Sequence, residues 1–372
     1  MPNAPAASKT PPLRLARSGW LYAGGKTNSA VEGAPTVGQM FAEFLIPEVQ
    51  IHPYPIVMIH GGNQTGSNYT GTPDGREGWA QYFARRGHAV YVVDTVARGR
   101  SPHWSDCHGA MAAARAGFAE KRFVAPERFK LWPQAERHTQ FPGTGKPGDA
   151  AYEAFMASQV PSLADFAKQQ ELNREAGAAL LDRIGPAILL THSQGGALGW
   201  PIADARPHLV KAIVAVEPNG PPVKDVTMVG APDWFEESDA IKPYGLTHVP
   251  LAYDPPLAPG ETLSFVQQAQ ADGPGLMRGW LQAEPARKLA NLMSIPVLVL
   301  MGEASYHAPY DHITVAYLRQ AGVPTTFIRL ADKGEHGNGH MLMIEKNSDA
   351  IAAIIAEWLA TILPDTRGKT QR

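Results

Sequence analysis

Six short runs constrain this chain more than any other feature: Tyr54–His60 (YPIVMIH), His88–Asp94 (HAVYVVD), Pro186–His192 (PAILLTH), Lys211–Glu217 (KAIVAVE), Ile295–Gly302 (IPVLVLMG) and Pro324–Leu330 (PTTFIRL). Most are rich in Ile, Val and Leu with no polar alternation, as expected of strands buried on both faces of a parallel sheet. Stretches with helical spacing lie between and after them. GWAQYFARRG (Gly78–Gly87) is one, and Ser348–Leu363 is another, with Ile351, Ile354, Ile355, Trp358, Leu359 and Ile362 on one face and Ser348 as the expected N-cap. This alternation predicts an α/β fold: five or six parallel strands wrapped by helices, with MFAEFLIPE (Met40–Glu48) as an antiparallel entry strand.

With 372 residues, 44% of them apolar, the chain can bury a single large core. The expected organisation is a loosely ordered arm over 1–35, where prolines and small residues collect, one domain over 36–365, and a tail over 366–372. Two insertions interrupt the strand–helix rhythm, at about 102–172 and 221–287. Their aromatic residues, among them Trp132, Phe141, Trp234 and Trp280, offer apolar surface to bury. They are read as a lid over the carboxyl ends of the strands, where ligands sit in open sheets of this kind.

A formal charge of −2 with no long like-charge run lacks the electrostatic footprint of a nucleic-acid or anionic-lipid binder. No run is apolar enough for a membrane span, and the first thirty residues lack the apolar core of a signal peptide. A soluble protein is expected, cytoplasmic or, had a leader been removed, periplasmic or secreted. The single cysteine, Cys107, reads as a small buried structural residue.

The stretch LLTHSQGGAL (Leu189–Leu198) places Ser193 between an apolar run and two glycines. A tight strand-to-helix turn there would hold the hydroxyl up as a nucleophile. It departs from G-x-S-x-G by carrying Thr191 at the first glycine but keeps Gly195. Gln194 would open the following helix, so its N–H and the helix N-terminus direct positive character at an oxyanion. The HGG of IHGGNQTG lets the backbone fold close to a ligand, and the N–H of Gly62 would supply the second donor. No phosphate-binding G-x-x-x-x-G-K-[ST] follows, and no nucleotide or other cofactor is expected.

A serine needs a base, and the base needs an orienting group. His336 and His340 both lie in the Gly-rich loop DKGEHGNGHMLMIEKNSD; His340 is preferred because Met341-Leu342-Met343 would anchor its side of the loop. Gly337 and Gly339 argue against a helix that would put both histidines on one metal, so no metal is expected. Glu217 ends an apolar strand, where a carboxylate is costly without a partner, and a histidine ring N–H would be one. Glu303 and Asp311 are the reserves.

Together, HGGNQTGSN, THSQGG, VAVEPNG, GNGHMLMIEKNSD and the segment TPDGREGWAQYFARRGHAVYVVDTVARGRS resemble a group of bacterial serine esterases of the α/β-hydrolase superfamily. In that group the acid is a glutamate on the strand after the nucleophile. The likeness covers about Gln39 to Leu363. It implies Ser193 as nucleophile, Glu217 as acid, His340 as base, and Gly62 and Gln194 as oxyanion donors. In many relatives the acid instead follows the strand after next, where this chain has Ser305. The implied reaction is ester hydrolysis through an acyl-enzyme, on an apolar or aromatic small-molecule ester, with a homodimer as an admissible assembly. A lactonase, carbonate hydrolase or polyester hydrolase would use the same triad. A non-catalytic binding protein on this scaffold would be expected to lack a triad member, and none is missing.

Overall fold

The computed structural model describes residues 11–27, 33–113 and 116–363. Its centre is an eight-stranded sheet. The strands are β1 (Leu15–Thr27), β2 (Thr36–Pro47), β3 (Ile56–Ile59), β4 (Val90–Asp94), β5 (Ala187–His192), β6 (Val210–Val216), β7 (Val297–Met301) and β8 (Thr325–Arg329). They lie side by side in the order β1-β2-β4-β3-β5-β6-β7-β8, and every neighbouring pair from β4 to β8 is parallel. The six apolar runs are these six parallel strands.

Both faces of the sheet are covered, which is why the runs do not alternate with polar residues. Along β5, Ala187 and Leu189 enter one core and Ile188 and Leu190 the other. The first core packs against α2 (Phe166–Ile184), α3 (Gln194–Ala205) and α4 (Asp311–Gln320) through residues such as Leu180, Leu198 and Leu318. The second packs against α1 (Trp79–Arg85) and α5 (Ser348–Ile362) through Trp79, Phe83, Ile351, Ile355 and Leu359. Ser348 is not the expected cap: α5 starts there without a side-chain cap, and the Ser348 hydroxyl accepts a bond from Arg76 at 3.2 Å.

The expectation of a loosely ordered arm is corrected over Leu15–Thr27. This segment pairs antiparallel with β2, which pairs antiparallel with β4. As an edge strand it buries little beyond Ala23, so the ladder of backbone bonds, rather than an apolar run, builds it. The rest of the arm at 1–10 and 28–32, and the tail over 366–372, lie outside the described residues. Cys107 is also corrected: it is exposed, on a single helical turn whose buried residue is His108.

Parallel strands bring their carboxyl ends to one edge. Chain order reverses between β3, which leads to β4 on one side, and β5, which leads to β6 on the other. Such a switch opens a crevice, because the loops leaving the two strands turn to opposite faces. The loop after β3 carries His60-Gly61-Gly62, and the turn after β5 carries Ser193.

Both insertions are folded. The first holds short helical turns and a helix at Ala150–Ala157 and runs on into α2; the second holds a hairpin of Lys224–Gly230 with Trp234–Ile241. Trp132 and Phe141 are buried, whereas Trp234 and Trp280 are half-buried.

His138, buried in the first insertion, ties that insertion to the loop before α5. Its Nδ1 lies 3.0 Å from Glu127 and its Nε2 3.3 Å from Glu345. Glu345 also accepts bonds from the Gly339 N–H at 2.8 Å and the Asn338 amide at 2.7 Å. Burial disfavours the imidazolium, but the bonds to Glu127 and Glu345 outweigh it and raise the His138 pKa to about 9. A raised histidine pKa stabilises the fold fully below the ordinary value of 6.5, and the gain is lost as pH rises through about 9. Chemical-denaturation midpoints should therefore fall between pH 7 and pH 10. In His138→Gln this slope should flatten and stability at pH 6.5 should drop by about 3 kcal/mol; an unchanged pH slope would remove the clamp.

Candidate active site

Ser193 occupies the turn between β5 and α3 with φ 51° and ψ −122°, a strained conformation for a residue with a side chain. The surrounding backbone holds it there. The Ser193 N–H donates to the Val216 carbonyl at 3.1 Å, and its own carbonyl accepts from the N–H groups of Gly196 and Asn219, both at 2.8 Å. Close packing explains the glycines. A Cβ on Gly195 would lie 2.5 Å from the Ile59 carbonyl oxygen, and one on Gly196 would lie 2.6 Å from Pro218. Thr191, the departure from the motif, fits because Gly199 lies opposite: a Cβ there would come within 2.7 Å of the Thr191 methyl.

Glu217 follows β6 with φ 44° and is fully buried. One carboxylate oxygen accepts from the Gly302 N–H at 2.7 Å. The other accepts from the Ser305 hydroxyl at 2.6 Å and lies 2.5 Å from His340 Nδ1. Ser305, at the position where many relatives carry the acid, thus donates to the Glu217 carboxylate instead. The reserves are engaged elsewhere: Glu303 with His336 at 3.1 Å, and Asp311 with His307 at 2.8 Å.

The His340 ring is enclosed by Phe123, Tyr306, His307 and His192, with His307 stacked at 4.6 Å between centroids. Burial, reinforced by His192, His307 and Arg122, holds its pKa well below the histidine range, so the resting imidazole is neutral. Burial also pushes the Glu217 carboxyl up, and Asp311 adds to this, against the bonds from Ser305 and Gly302. Nε2 of His340 lies 3.2 Å from the Tyr306 hydroxyl, and Tyr306 lines the same cavity as Ser193. Tyr306, rather than the Ser193 hydroxyl, is thus the partner of this imidazole nitrogen. A looser contact than the direct serine–imidazole bond is common before substrate binds.

Glu217, His307 and His340 offer atoms within 4.8 Å of one another, close enough to be considered for a metal. The Glu217–His340 separation of 2.5 Å is that of a hydrogen bond. Two ligands sharing a tetrahedral zinc would stand about 3.3 Å apart, given bonds of about 2.0 Å.

On the other side of Ser193, Gly62 faces the Gln194 side chain, and Arg98 joins the two loops. Its guanidinium donates to the Gly61 carbonyl at 2.9 Å and to Gln194 Oε1 at 3.0 Å. Burial lowers the Arg98 pKa to about 10, Asp94 opposing, so it stays charged at neutral pH. The neutral His192 ring bonds through Nε2 to the His340 carbonyl at 2.9 Å, fixing the base loop against the turn. Sequence reasoning missed Arg98, Tyr306 and His192 in these roles. All three lay beside motifs already singled out, but nothing in their spacing gave their direction.

A cavity of about 590 Å³ opens at Ser193, with Gly62 and Gln194 on its wall. The first insertion contributes Phe118, Arg122, Phe123 and Leu163, and the second contributes Val226, Thr227 and His248.

Comparison with known proteins agrees with this architecture. The model of the alpha/beta hydrolase fold family matches residues 54–271. A protein named "Probable secreted lipase phiG", from Fungal sp. (strain ATCC 74256), is 43% identical over 340 residues, 91% of this chain and 88% of the relative. Lipase LipV of Mycobacterium tuberculosis is 37% identical over 78 residues, 19% of this chain and 30% of its own. The solved structure of a novel bacterial esterase superposes with a TM-score of 0.64 at 22% identity, covering 96% of this chain and 99% of that one, a likeness of fold. No helix among the described residues is long and apolar enough to cross a membrane.

The tight turn at Ser193 makes Gly195 intolerant of any side chain, since the clash is with rigid backbone of β3 and its loop. Gly195→Ala should cost about 1–3 kcal/mol in denaturant unfolding. A stability equal to the parent would mean that the strand and turn are less closely packed than described.

Proposed function

Since the chain belongs to the alpha/beta hydrolase fold family, we propose that it is a lipase/esterase-type serine hydrolase that cleaves carboxylic esters through an acyl-enzyme on Ser193. The observation that carries this reading is a strained serine on a cavity wall shared with Tyr306, whose hydroxyl lies against a buried imidazole with its other nitrogen bonded to a buried glutamate. The names of the lipase and esterase relatives support the same class.

In this reading the Ser193 hydroxyl attacks the ester carbonyl as His340 Nε2 takes its proton, displacing the Tyr306 hydroxyl as its partner. The N–H groups of Gly62 and Gln194 stabilise the oxyanion, and Arg98 keeps their loops in register. Glu217 orients the ring and offsets the charge that forms on it. His340 then gives the proton to the leaving alcohol. Water attacks the acyl-serine by the same route, releasing the acid and restoring the hydroxyl. The insertions form a lid whose aromatic lining suits an apolar or aromatic body.

Ser193→Ala should lower turnover of p-nitrophenyl butyrate by at least about 10³-fold and abolish labelling by a fluorophosphonate; retained turnover would refute the nucleophile. Glu217→Gln should keep the circular dichroism spectrum yet lose about 10²–10⁴-fold in kcat. A larger loss on changing Asp311 would move the acid.

The low pKa of His340 sets the sign of the pH response. The base works as the neutral ring, so activity rises as pH passes upward through that pKa. The acid limb of kcat/KM should have its midpoint below 6.5, and a midpoint at or above that value would contradict the buried resting imidazole.

A further inference from the structure

Among the described residues, the cavity beside Ser193 carries one charged group with no counter-ion. Arg122 sits in a widened helical turn, Glu120–Val124, and lines the cavity with Ser193, Tyr306 and Phe123. Its guanidinium lies 3.7 Å from the centre of the Phe118 ring and 5.5 Å from that of Tyr306, and it has no carboxylate partner among the described residues. The acids of its own segment are taken: Glu120 pairs with Arg128 at 3.3 Å and Glu127 with His138 at 3.0 Å. The one acid on the cavity wall, Asp225, is held by Lys242 at 2.6 Å. A guanidinium partly withdrawn from water and stacked on a ring keeps its hydrogen-bonding edge for a ligand, and that planar fork matches a carboxylate.

We infer that Arg122 is a specificity-determining residue that selects esters bearing a carboxylate, such as hemiesters of dicarboxylic acids or esters of carboxylated phenols. The inference rests on the serine-esterase reading and refines it: the body of the substrate meets Phe118, Phe123 and Leu163, and the acidic group meets the guanidinium. Arg122 also stands beside Tyr306, which bonds His340 and lines the cavity with Ser193. An anion bound there would lie within the same cavity as the reacting carbonyl.

The test compares kcat/KM for acidic and neutral esters in the parent, R122Q and R122K. p-Nitrophenyl hemiglutarate against p-nitrophenyl butyrate probes a carboxylate on the acyl part. 4-Acetoxybenzoate against phenyl acetate probes one on the alcohol part. In R122Q the acidic-to-neutral ratio should fall at least about tenfold in one of the two pairs, chiefly through KM. R122K, which keeps the charge but not the fork, should retain part of it. If Arg122 serves only to pack against Phe118, both members of each pair will fall together, and that result overturns the inference. So does a ratio that moves less than about threefold in both pairs. Failure of the underlying reading looks different: the parent would hydrolyse none of the four esters and Ser193 would resist the fluorophosphonate.

Discussion

The contact on which the site depends is that between Glu217 and His340, two residues far apart in sequence that meet in a fully buried place. A carboxyl group there would be strongly unfavourable alone, and its environment shows how the fold offsets the cost. The Gly302 N–H and Ser305 hydroxyl complete its hydrogen bonds, and the imidazole takes the remaining direction. Gly302 can donate because it packs against the base loop without a side chain: a Cβ there would lie 2.6 Å from the Gly339 carbonyl. Two strand ends, those of β6 and β7, and the His340 loop are thereby locked around one carboxylate.

Around that lock the molecule builds outward in two directions. Toward Ser193, His192 bonds the backbone of His340, so the turn that carries the serine also holds the loop of the imidazole. Toward the first insertion, His138 and Glu345 hold the same loop from outside. The first insertion, which lines part of the cavity, therefore bears on the His340 loop directly. Arg98 performs the corresponding task on the other side of Ser193, fastening Gly61 to Gln194.

The asymmetry of charge around the serine follows from this arrangement. The imidazole is kept neutral by burial, reinforced by His192, His307 and Arg122. Of the two cations nearby, Arg98 is engaged by backbone and amide oxygens on the other side of the serine, and Arg122 is stacked on Phe118 at the cavity wall.

The sequence by itself determined the sheet and the turn that carries the serine. Burial on both faces forces unbroken apolar runs, and close backbone approach forces glycine, so both leave marks in adjacent residues. The site residues Ser193, Glu217, His340, Gly62 and Gln194 could be singled out because each follows or adjoins such a run. The edge strand Leu15–Thr27 was not legible, since backbone pairing builds it and leaves little trace in side chains. Nor was the exposure of Cys107, nor the placing of the Tyr306 hydroxyl against the imidazole. Only the tertiary structure decided which acid met which histidine, pairing Glu303 with His336, Asp311 with His307 and Glu217 with His340. Those choices depend on directions across the sheet edge, set by how strands and loops from distant parts of the chain pack together, and no local spacing records them.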